Sequence, residues 1–326
     1  MNCAGRPPFR QFVRYLDIFV RFPDKRYGVD VQPTAKIAPS DLFTRVPALF
    51  KRLIDDAALF PPGNATMQDA VREHLQVKAR RYADITGLFL CPADRVEELV
   101  QELAAMAPAS PIELSLVVDA DLSGFRDALA LLRSHRALAR LQMVEMAAPT
   151  AMDSSWLVDA GQVIPVGVVK VVEPQRPPGD LAREQSEWLH SVRRVAEHGY
   201  WPKLRCGGLT ADAFPSNDQV AEFLRVTCAL QVPFKATAGL HHAAHYTDRG
   251  TGFSHHGFLN LLLAVAQTLR GQSPLAALSN TDGRSLALEA KAMSDQLTNA
   301  VRARMASYGS CSLAEPLADL TDLGLL

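Results

Sequence analysis

The chain has 326 residues, of which 48% are hydrophobic, and its 34 basic and 35 acidic side chains give a formal net charge of -1. A chain of this length can bury a large core, in one barrel or in two smaller domains. The balanced and dispersed charge argues against a nucleic-acid partner or an anionic membrane surface, and it favours a small polar substrate.

The cysteines and the apolar segments indicate the compartment. The five cysteines are odd in number, widely spaced and without a CxxC pair, which argues against a disulfide framework and a thiolate zinc site. The longest apolar helical stretch, Phe258 to Leu269, is too short to span a bilayer. The start of the chain lacks the apolar core of a signal peptide. We therefore expect a cytoplasmic protein with no membrane partner.

Residues 1–40 contain five prolines and show no sustained hydrophobic period, so they are predicted to form an N-terminal extension. The folded domain is predicted to comprise residues 41–326. There, short β-rich runs alternate with amphipathic stretches, a pattern typical of crossover helices that cover a parallel sheet. Seven runs are predicted to be strands: Leu53 to Ala57, Gly87 to Cys91, Ile112 to Asp119, Arg140 to Ala147, Val166 to Glu173, Pro202 to Gly207 and Phe234 to Leu240.

The segments between these runs are predicted to be helices, with Asp94 and Ser216 as N-caps of the second and fifth. They are Met67 to Arg81, Arg95 to Met106, Ser123 to Arg136, Leu181 to His198, Asn217 to Leu230 and His256 to Leu269. For an eighth strand the candidates are Ala277 to Asn280 and Ser285 to Leu288, before a last long helix from Glu289 to Met305.

Eight such units match the usual size of a single (β/α)8 TIM barrel, roughly 250 residues. The alternative is an open doubly wound sheet. The chain has no GxGxxG or GxxxxGK[ST] after its first strand, so the usual nucleotide-phosphate motifs of that architecture are absent from the sequence. The barrel is the predicted fold.

Strand alternation predicts which side chains share the barrel interior. Lys203 and Arg205 lie on one face of the sixth run, and Lys235 and Thr237 lie on one face of the seventh. Glu145 points the same way on the fourth run. Lys170 and Glu173 fall on opposite faces of the fifth run, and Glu173, just before Pro174, is predicted at the rim. These charges meet where barrels place their catalytic groups.

The cations suggest Schiff-base chemistry at Lys235. An amine crowded by Lys203 and Arg205 and partly desolvated would be neutral near pH 7 and could attack a carbonyl carbon. Glu173 and Glu145 are the acid and base candidates, and no cofactor is required. The structural alternative is that the same residues form a neutral ion-pair network that fills the barrel.

Five histidines fall within sixteen residues of one apparent loop, and three of them, His241, His242 and His256, are predicted to orient the substrate. The alternative is a divalent metal bound by these histidines with Glu145 and Glu173.

Two other polar segments, one around Asp55 and one over Ser310 to Ser312, carry further predictions. Ser310 and Ser312 are predicted to donate hydrogen bonds to an anion. Asp55, in a pair of adjacent carboxylates, is a metal ligand, a base or a surface turn residue. Cys311 has no base partner that the sequence identifies, which argues against a nucleophilic role.

Two resemblances follow from these motifs. The set DDAALFPP, KLRCGG, FKATAGLHH, HGFLN and GSCSLAEP resembles a bacterial family of unknown function, from about Asp55 to the C-terminus, and implies no reaction. Locally, FKATAG and KLRCGG resemble the lysine strands of deoxyribose-phosphate aldolases, class I aldolases in which one lysine forms the imine and a second tunes it. This resemblance implies Lys235 as the nucleophile and Lys203 as the tuning cation. The order of the two motifs is reversed here, so the substrate is not carried over.

We therefore expect an enzyme that acts on a small anionic carbonyl compound by carbon–carbon lyase or isomerase chemistry. A metal-dependent lyase or hydrolase and a non-enzymatic small-anion binding protein are the alternatives. The C-terminal segment AEPLADLTDLGLL either seals one barrel end or packs on a second copy in a homo-oligomer.

Overall fold

The computed structural model describes residues 46–119, 122, 124–177 and 182–326. The predicted extension, residues 1–40, and the proposed boundary at residue 41 lie outside these described residues. Nothing in the structure therefore bears on that division of the chain.

Eight parallel strands close into a barrel, which confirms the predicted (β/α)8 fold. The strands β1 to β7 follow the seven predicted runs, and β10 closes the barrel between β7 and β1. A two-stranded antiparallel hairpin, β8 and β9, lies in the loop after β7. The strands are β1 (Ile54–Asp56), β2 (Thr86–Pro92), β3 (Ile112–Val118), β4 (Ala139–Ala147), β5 (Val169–Glu173), β6 (Trp201–Arg205), β7 (Phe234–Thr237), β8 (Tyr246–Thr247), β9 (Ser254–His255) and β10 (Met305–Ser310).

The six predicted crossover helices are confirmed, with ends that differ by a few residues, and a further helix, α4, follows β4. Asp153 is its N-cap, and the Asp153 side chain accepts a hydrogen bond from the Trp156 amide. The helices are α1 (Met67–Lys78), α2 (Val96–Met106), α3 (Phe125–Ser134), α4 (Ser154–Val163), α5 (Ala182–Glu197), α6 (Asn217–Ala229), α7 (Phe258–Leu269), α8 (Leu275–Ser279), α9 (Gly283–Lys291), α10 (Asp295–Arg302) and α11 (Ala314–Asp322).

Both candidates for the eighth strand are wrong, because they lie in α8 and α9. The predicted last helix is also wrong: it is broken after Lys291, and Ser294 caps a new helix, α10, by accepting from the Leu297 amide. The eighth strand is Met305–Ser310. Its small and polar residues, Ala306, Ser307, Gly309 and Ser310, give a weak strand signal, but pairing on both sides with β7 and β1 fixes it.

The two predicted N-caps have different outcomes. Ser216 begins α6 in a full capping box with Gln219, as predicted. Asp94 does not cap α2, because the chain first makes a short 3-10 turn over Ala93–Arg95 and α2 starts after Arg95 without a side-chain cap.

The core has two layers around the sheet. Outward-facing strand residues such as Leu114 and Leu116 pack against the helices. The barrel interior holds a small apolar cluster that includes Leu88, Leu90 and Met143. This split follows the two-residue period of a strand along β3 and β4. Polar and charged side chains occupy the interior beside this cluster.

The C-terminal segment packs on the barrel's own outer core, where Leu313, Leu320 and Leu325 are buried. α11 therefore covers part of this chain, and the possible homo-oligomer stays a prediction. Within the part of the chain that the structure describes, no helix has the length and apolar character needed to cross a membrane.

Candidate active site

Six ionisable side chains form a continuous chain of ion pairs inside the barrel, which we call the charge network. They come from five strands, since Lys203 and Arg205 share β6, and opposite charges alternate along the chain of pairs. The members are Asp55, Lys235, Glu145, Lys203, Glu173 and Arg205. The register pairs Lys203 with Lys235 and Arg205 with Thr237 on the adjacent strands β6 and β7. The structure thus brings together the predicted cations and both predicted glutamates.

The inner half of the network consists of Lys235 with Asp55 and Glu145. Lys235 Nζ lies 2.6 Å from Asp55 Oδ2 and 2.5 Å from Glu145 Oε1, and the lysine side chain is 0% exposed. The same nitrogen lies 3.9 Å from Met143 Sδ, at the edge of the apolar cluster. A buried ammonium with two carboxylates has its charge balanced, which offsets the large cost of desolvation.

The outer half of the network consists of Lys203, Glu173 and Arg205, whose side chains are partly exposed to solvent. Lys203 Nζ lies 2.9 Å from Glu145 Oε2 and 3.3 Å from Glu173 Oε2, and its side chain is 8% exposed. Arg205 Nε lies 2.5 Å from Glu173 Oε1, with a side chain 47% exposed. Exposure therefore rises from Lys235 through Lys203 to Arg205, along one line from the interior to the mouth.

Neutral donors complete the inner half. Ser307 donates to Asp55 Oδ2 at 2.5 Å, the Leu88 amide donates to Asp55 Oδ1 at 2.7 Å, and Ser115 donates to Glu145 Oε1 at 2.8 Å. The sequence analysis gave neither Ser115 nor Ser307 a role in the site. Only a correct assignment of β10 could have identified Ser307, because its strand signal is weak.

The adjacent carboxylates of the first strand serve different sides of the sheet. Asp55 points inward to Lys235, whereas Asp56 accepts from the Ala58 amide and lies 3.0 Å from His74 Nδ1 on helix α1. Asp56 and His74 are both buried. Strand alternation explains the split, and Asp55 joins the charge network rather than a surface turn.

The pKa values follow this pairing. Burial would raise the pKa of Glu145, but Lys203 and Lys235 outweigh burial and lower it to about 2. Burial also raises the pKa of Glu173, and Lys203 and Arg205 outweigh it, so that this pKa is lowered. Both glutamates are therefore carboxylates at neutral pH.

The predicted neutral amine at Lys235 is wrong. Burial favours the neutral amine, but Asp55 and Glu145 outweigh burial and raise the pKa of Lys235 above its ordinary value. The sequence brought the cations together correctly but did not place the carboxylates between them. Lys235 is a protonated ammonium in the resting protein.

The histidine cluster lies apart from the two glutamates. His241 Nδ1 lies 2.9 Å from Glu315 Oε2, and His242 Nδ1 lies 3.2 Å from Asp319 Oδ2, so both histidines pair with carboxylates of α11. Hydrogen bonding to Asp319 raises the pKa of His242. The predicted set of these histidines with the network glutamates is not assembled as a metal site.

His256 is buried, and its Nε2–H donates a hydrogen bond to the Pro215 carbonyl oxygen at 2.8 Å. Burial lowers its pKa to about 4. Among the described residues, no group of three or more histidine, cysteine, aspartate and glutamate side chains is arranged to hold a metal ion. The possible divalent metal stays a prediction.

The remaining predicted donors have mixed positions. Ser310 Oγ donates to the Ser312 carbonyl at 2.6 Å, so this hydroxyl is used within its own turn. Thr237 ends β7 and is half-buried, beside Gly309 of β10. Ser312 precedes α11 and is half-buried. Thr237 and Ser312 remain candidates for contact with a ligand.

The ends of β6 and β7 approach each other unusually closely. A Cβ on Gly207 would lie 2.8 Å from the Gly239 Cα, and Gly239 itself has φ of +70°. Ala238 also has a positive φ, which ends β7 at Thr237 rather than at Leu240 as predicted. The glycines thus let two strand ends meet beside the network.

The site therefore offers two amines of different exposure, carboxylates that can accept protons, and an exposed guanidinium at the mouth. These groups suit capture of a carbonyl compound with an anionic group. A search against protein-family models and a search of curated proteins each found no match to this chain.

Proposed function

We propose that this protein is an enzyme that acts on a small carbonyl compound bearing an anionic group, through an imine on a barrel lysine. The reaction class is carbon–carbon lyase, as in an aldolase, or isomerase. The observation that supports this proposal is the arrangement of Lys203 and Lys235, in register on adjacent strands and bridged by the single carboxylate of Glu145. Charged groups near the carboxyl ends of barrel strands are typical of catalytic sites.

We assign imine formation to Lys203 rather than to Lys235, which reverses the roles predicted from sequence. Lys235 is fully buried, and two carboxylates hold its proton. Lys203 lies nearer the mouth and retains 8% exposure. A substrate carbonyl can reach Lys203 without displacing the inner half of the network. Lys235 then acts as a fixed positive charge behind Glu145.

The outer half of the network can move the necessary protons. Attack requires a neutral amine, so Lys203 passes a proton to Glu173 rather than to Glu145, because the buried ammonium of Lys235 still holds Glu145 as a carboxylate. Protonated Glu173 then supplies the proton that leaves with water as the carbinolamine becomes an imine. Lys235 keeps Glu145 ionised throughout, because its ammonium remains 2.5 Å away.

Arg205 is the proposed anchor for the substrate's anionic group. Its planar guanidinium matches carboxylate and phosphate oxygens, and nearly half of the side chain is open to solvent. An anion held there would place a carbonyl two or three bonds away near Lys203, since both cations contact Glu173.

Borohydride trapping tests the proposal. The full chain is incubated with a panel of aldehydes and keto acids, with and without sodium borohydride, and each modified lysine is located by peptide mass spectrometry. We expect a stable secondary amine at Lys203 with at least one keto acid or phosphorylated aldehyde. The Lys203→Met variant should lose this label, whereas surface lysines such as Lys51 should label weakly and unselectively.

Two results of the borohydride experiment would contradict imine formation at Lys203. Labelling at Lys235 alone would restore the role predicted from sequence. A label no stronger than that of Lys51 at every lysine, in a protein with an unchanged circular dichroism spectrum, would overturn the imine proposal.

A small-anion binding protein is the second candidate function, favoured by the complete pairing of both lysines in the resting state. In that case Arg205 would still bind the anion without turnover. A thermal-shift screen with carboxylates and phosphates would then show stabilisation that Arg205→Gln removes, and borohydride would trap no substrate on Lys203.

A further inference from the structure

A cysteine, a histidine and a glutamate lie in contact just beyond the ends of β7 and β10, outside the charge network. Cys311 Sγ lies 3.9 Å from His241 Nε2 and 4.0 Å from His241 Nδ1. His241 Nδ1 lies 2.9 Å from Glu315 Oε2. A nucleophile, a base and a group that orients the base are the components of an activated cysteine site. The partner for Cys311, which the sequence did not identify, is thus 70 residues earlier in the chain.

The fold holds these three residues together. His241 lies four residues beyond the end of β7, and Cys311 directly follows β10, which pairs with β7. Glu315 lies in the first turn of α11. Neighbouring strands and the following helix therefore position the group, and the sequence separation conceals it.

Two features near the Cys311 sulfur can stabilise negative charge on it. The sulfur lies next to an imidazole, and the residue precedes helix α11, whose N-terminal end carries partial positive charge. Burial lowers the pKa of His241, but the contacts with Cys311 and Glu315 outweigh it and raise this pKa to about 10. The imidazolium is thus favoured at neutral pH, with its proton available for transfer.

The other described cysteines provide a contrast. Cys91 and Cys206 are buried, and burial raises the pKa of each to about 12. Cys228 is partly exposed, yet burial raises its pKa to about 11. Cys311 is also partly exposed, and its sulfur lies beside the ring of His241.

We propose that Cys311 is a second nucleophilic site, which adds reversibly to the carbonyl carbon of an aldehyde with His241 as acid and Glu315 as its positioning residue. The thiolate forms the carbon–sulfur bond, the carbonyl π electrons move to oxygen, and that oxygen takes the proton of the His241 imidazolium. The product is a thiohemiacetal. No oxidant, reductant or leaving group is needed.

This site does not rest on the imine proposal. The charge network contributes no atom to the step, and the contacts of Cys311 and His241 involve neither lysine. The two sites share only strands β7 and β10, which also carry Lys235 and Ser307.

Alkylation of the full chain with iodoacetamide tests the thiolate. An unperturbed thiol with a pKa near 8.5 is only about 0.3% ionised at pH 6, and its rate rises nearly tenfold per pH unit below that value. We expect Cys311 to react at least about tenfold faster than Cys228 at pH 6, with a rate almost constant from pH 6 to 8. Peptide mass spectrometry measures both cysteines in one sample.

Two variants separate the roles of the partners. His241→Gln should return Cys311 to the steep pH profile of an ordinary thiol. Glu315→Gln should shift the midpoint of the profile upwards without abolishing alkylation, an effect that mere loss of packing would not produce. A wild-type rate that rises tenfold per unit from pH 6 to 8 would overturn the proposal, whatever the folding of the variants.

Carbon-13 NMR with [1-13C]acetaldehyde tests the addition itself. We expect a protein-bound thiohemiacetal resonance that disappears in Cys311→Ser and persists in Lys203→Met. Its absence from the wild type, together with fast alkylation, would leave a reactive thiolate but overturn aldehyde capture. Its presence in a protein that fails borohydride trapping would separate this site from the proposed imine function.

Discussion

Lys203 and Lys235 occupy paired positions on adjacent strands, yet the two halves of the charge network around them differ in kind. In the inner half, Lys235 is enclosed by Asp55 and Glu145, with hydroxyl donors from Ser115 and Ser307. In the outer half, Lys203 and its partners approach solvent. Register alone therefore does not define a lysine's role: burial and the number of carboxylates decide whether its proton can leave.

The sharpest test of this comparison is the stability of two matched variants. Lys235→Met would leave Asp55 and Glu145 buried without their shared cation, and we expect a loss of about 3–5 kcal/mol in the free energy of unfolding. Lys203→Met should cost only about 1–2 kcal/mol, because Glu145 keeps Lys235 and Glu173 keeps Arg205.

Urea denaturation at pH 7 measures both variants under one condition. The Lys203→Met protein serves as the matched control, since it removes the same side chain from the neighbouring strand. Equal losses of stability would show that the inner and outer halves are energetically alike, which would contradict the distinction between the two lysines.

Acid unfolding offers a second test, directed at Glu145. Its pKa is lower in the folded chain, about 2, than its ordinary value of 4.5. The unfolded chain therefore binds this proton first as the pH falls. The stabilisation is full above pH 4.5 and is lost as the pH falls towards 2, and it amounts to about 3 kcal/mol.

The free energy of unfolding should thus fall less steeply in Glu145→Gln than in the wild type between pH 4.5 and 2.5. The difference between the two slopes removes the contribution of all other carboxylates. Parallel slopes would indicate that Glu145 is not held as a carboxylate by its two lysines.

The sequence was sufficient for the inward faces but not for the partners across the barrel. Alternation placed Glu145, Lys203, Arg205 and Lys235 inside, because each strand has a period of two. It could not show that Glu145 lies between the two lysines, since that contact joins residues 90 positions apart. The predicted pKa shift of Lys235 consequently had the wrong sign.

The same limit explains the missed features of β10 and the histidine loop. Met305–Ser310 has few β-branched or large apolar residues, and the barrel's closure rather than local propensity fixes it as a strand. His241 and Glu315 are 74 residues apart. Cys311 lies beside His241 because β10, which precedes Cys311, pairs with β7, which precedes His241. Local patterns locate such residues on elements, but only the closed sheet assembles them.

The hydroxyl donors give a smaller effect that distinguishes the inner half. Ser307→Ala would remove the hydrogen bond to Asp55, and Ser115→Ala would remove the one to Glu145. Hydrogen bonds to charged groups contribute about 1.5–3 kcal/mol, so each variant should lose stability in that range by urea denaturation. Ser186→Ala, on an exposed serine of α5 outside the network, is the control and should change stability by no more than about 0.5 kcal/mol. Wild-type stability in both network variants would contradict the closed inner half.

The smallest effect on stability is expected at Arg205, where the largest effect on specificity should appear. Its ion pair with Glu173 lies at a side chain 47% exposed, so Arg205→Gln should cost no more than about 1 kcal/mol. Under the proposed function, the same variant should reduce borohydride trapping of a keto acid on Lys203 severalfold and leave trapping of a neutral aldehyde nearly unchanged, because only the keto acid has an anionic group for the guanidinium.

Arg225→Gln, on an exposed arginine of α6 paired with Glu222, is the matched control and should alter neither yield. A parallel loss with both carbonyl compounds would show that Arg205 acts on the amine or on Glu173 rather than on the substrate's anionic group.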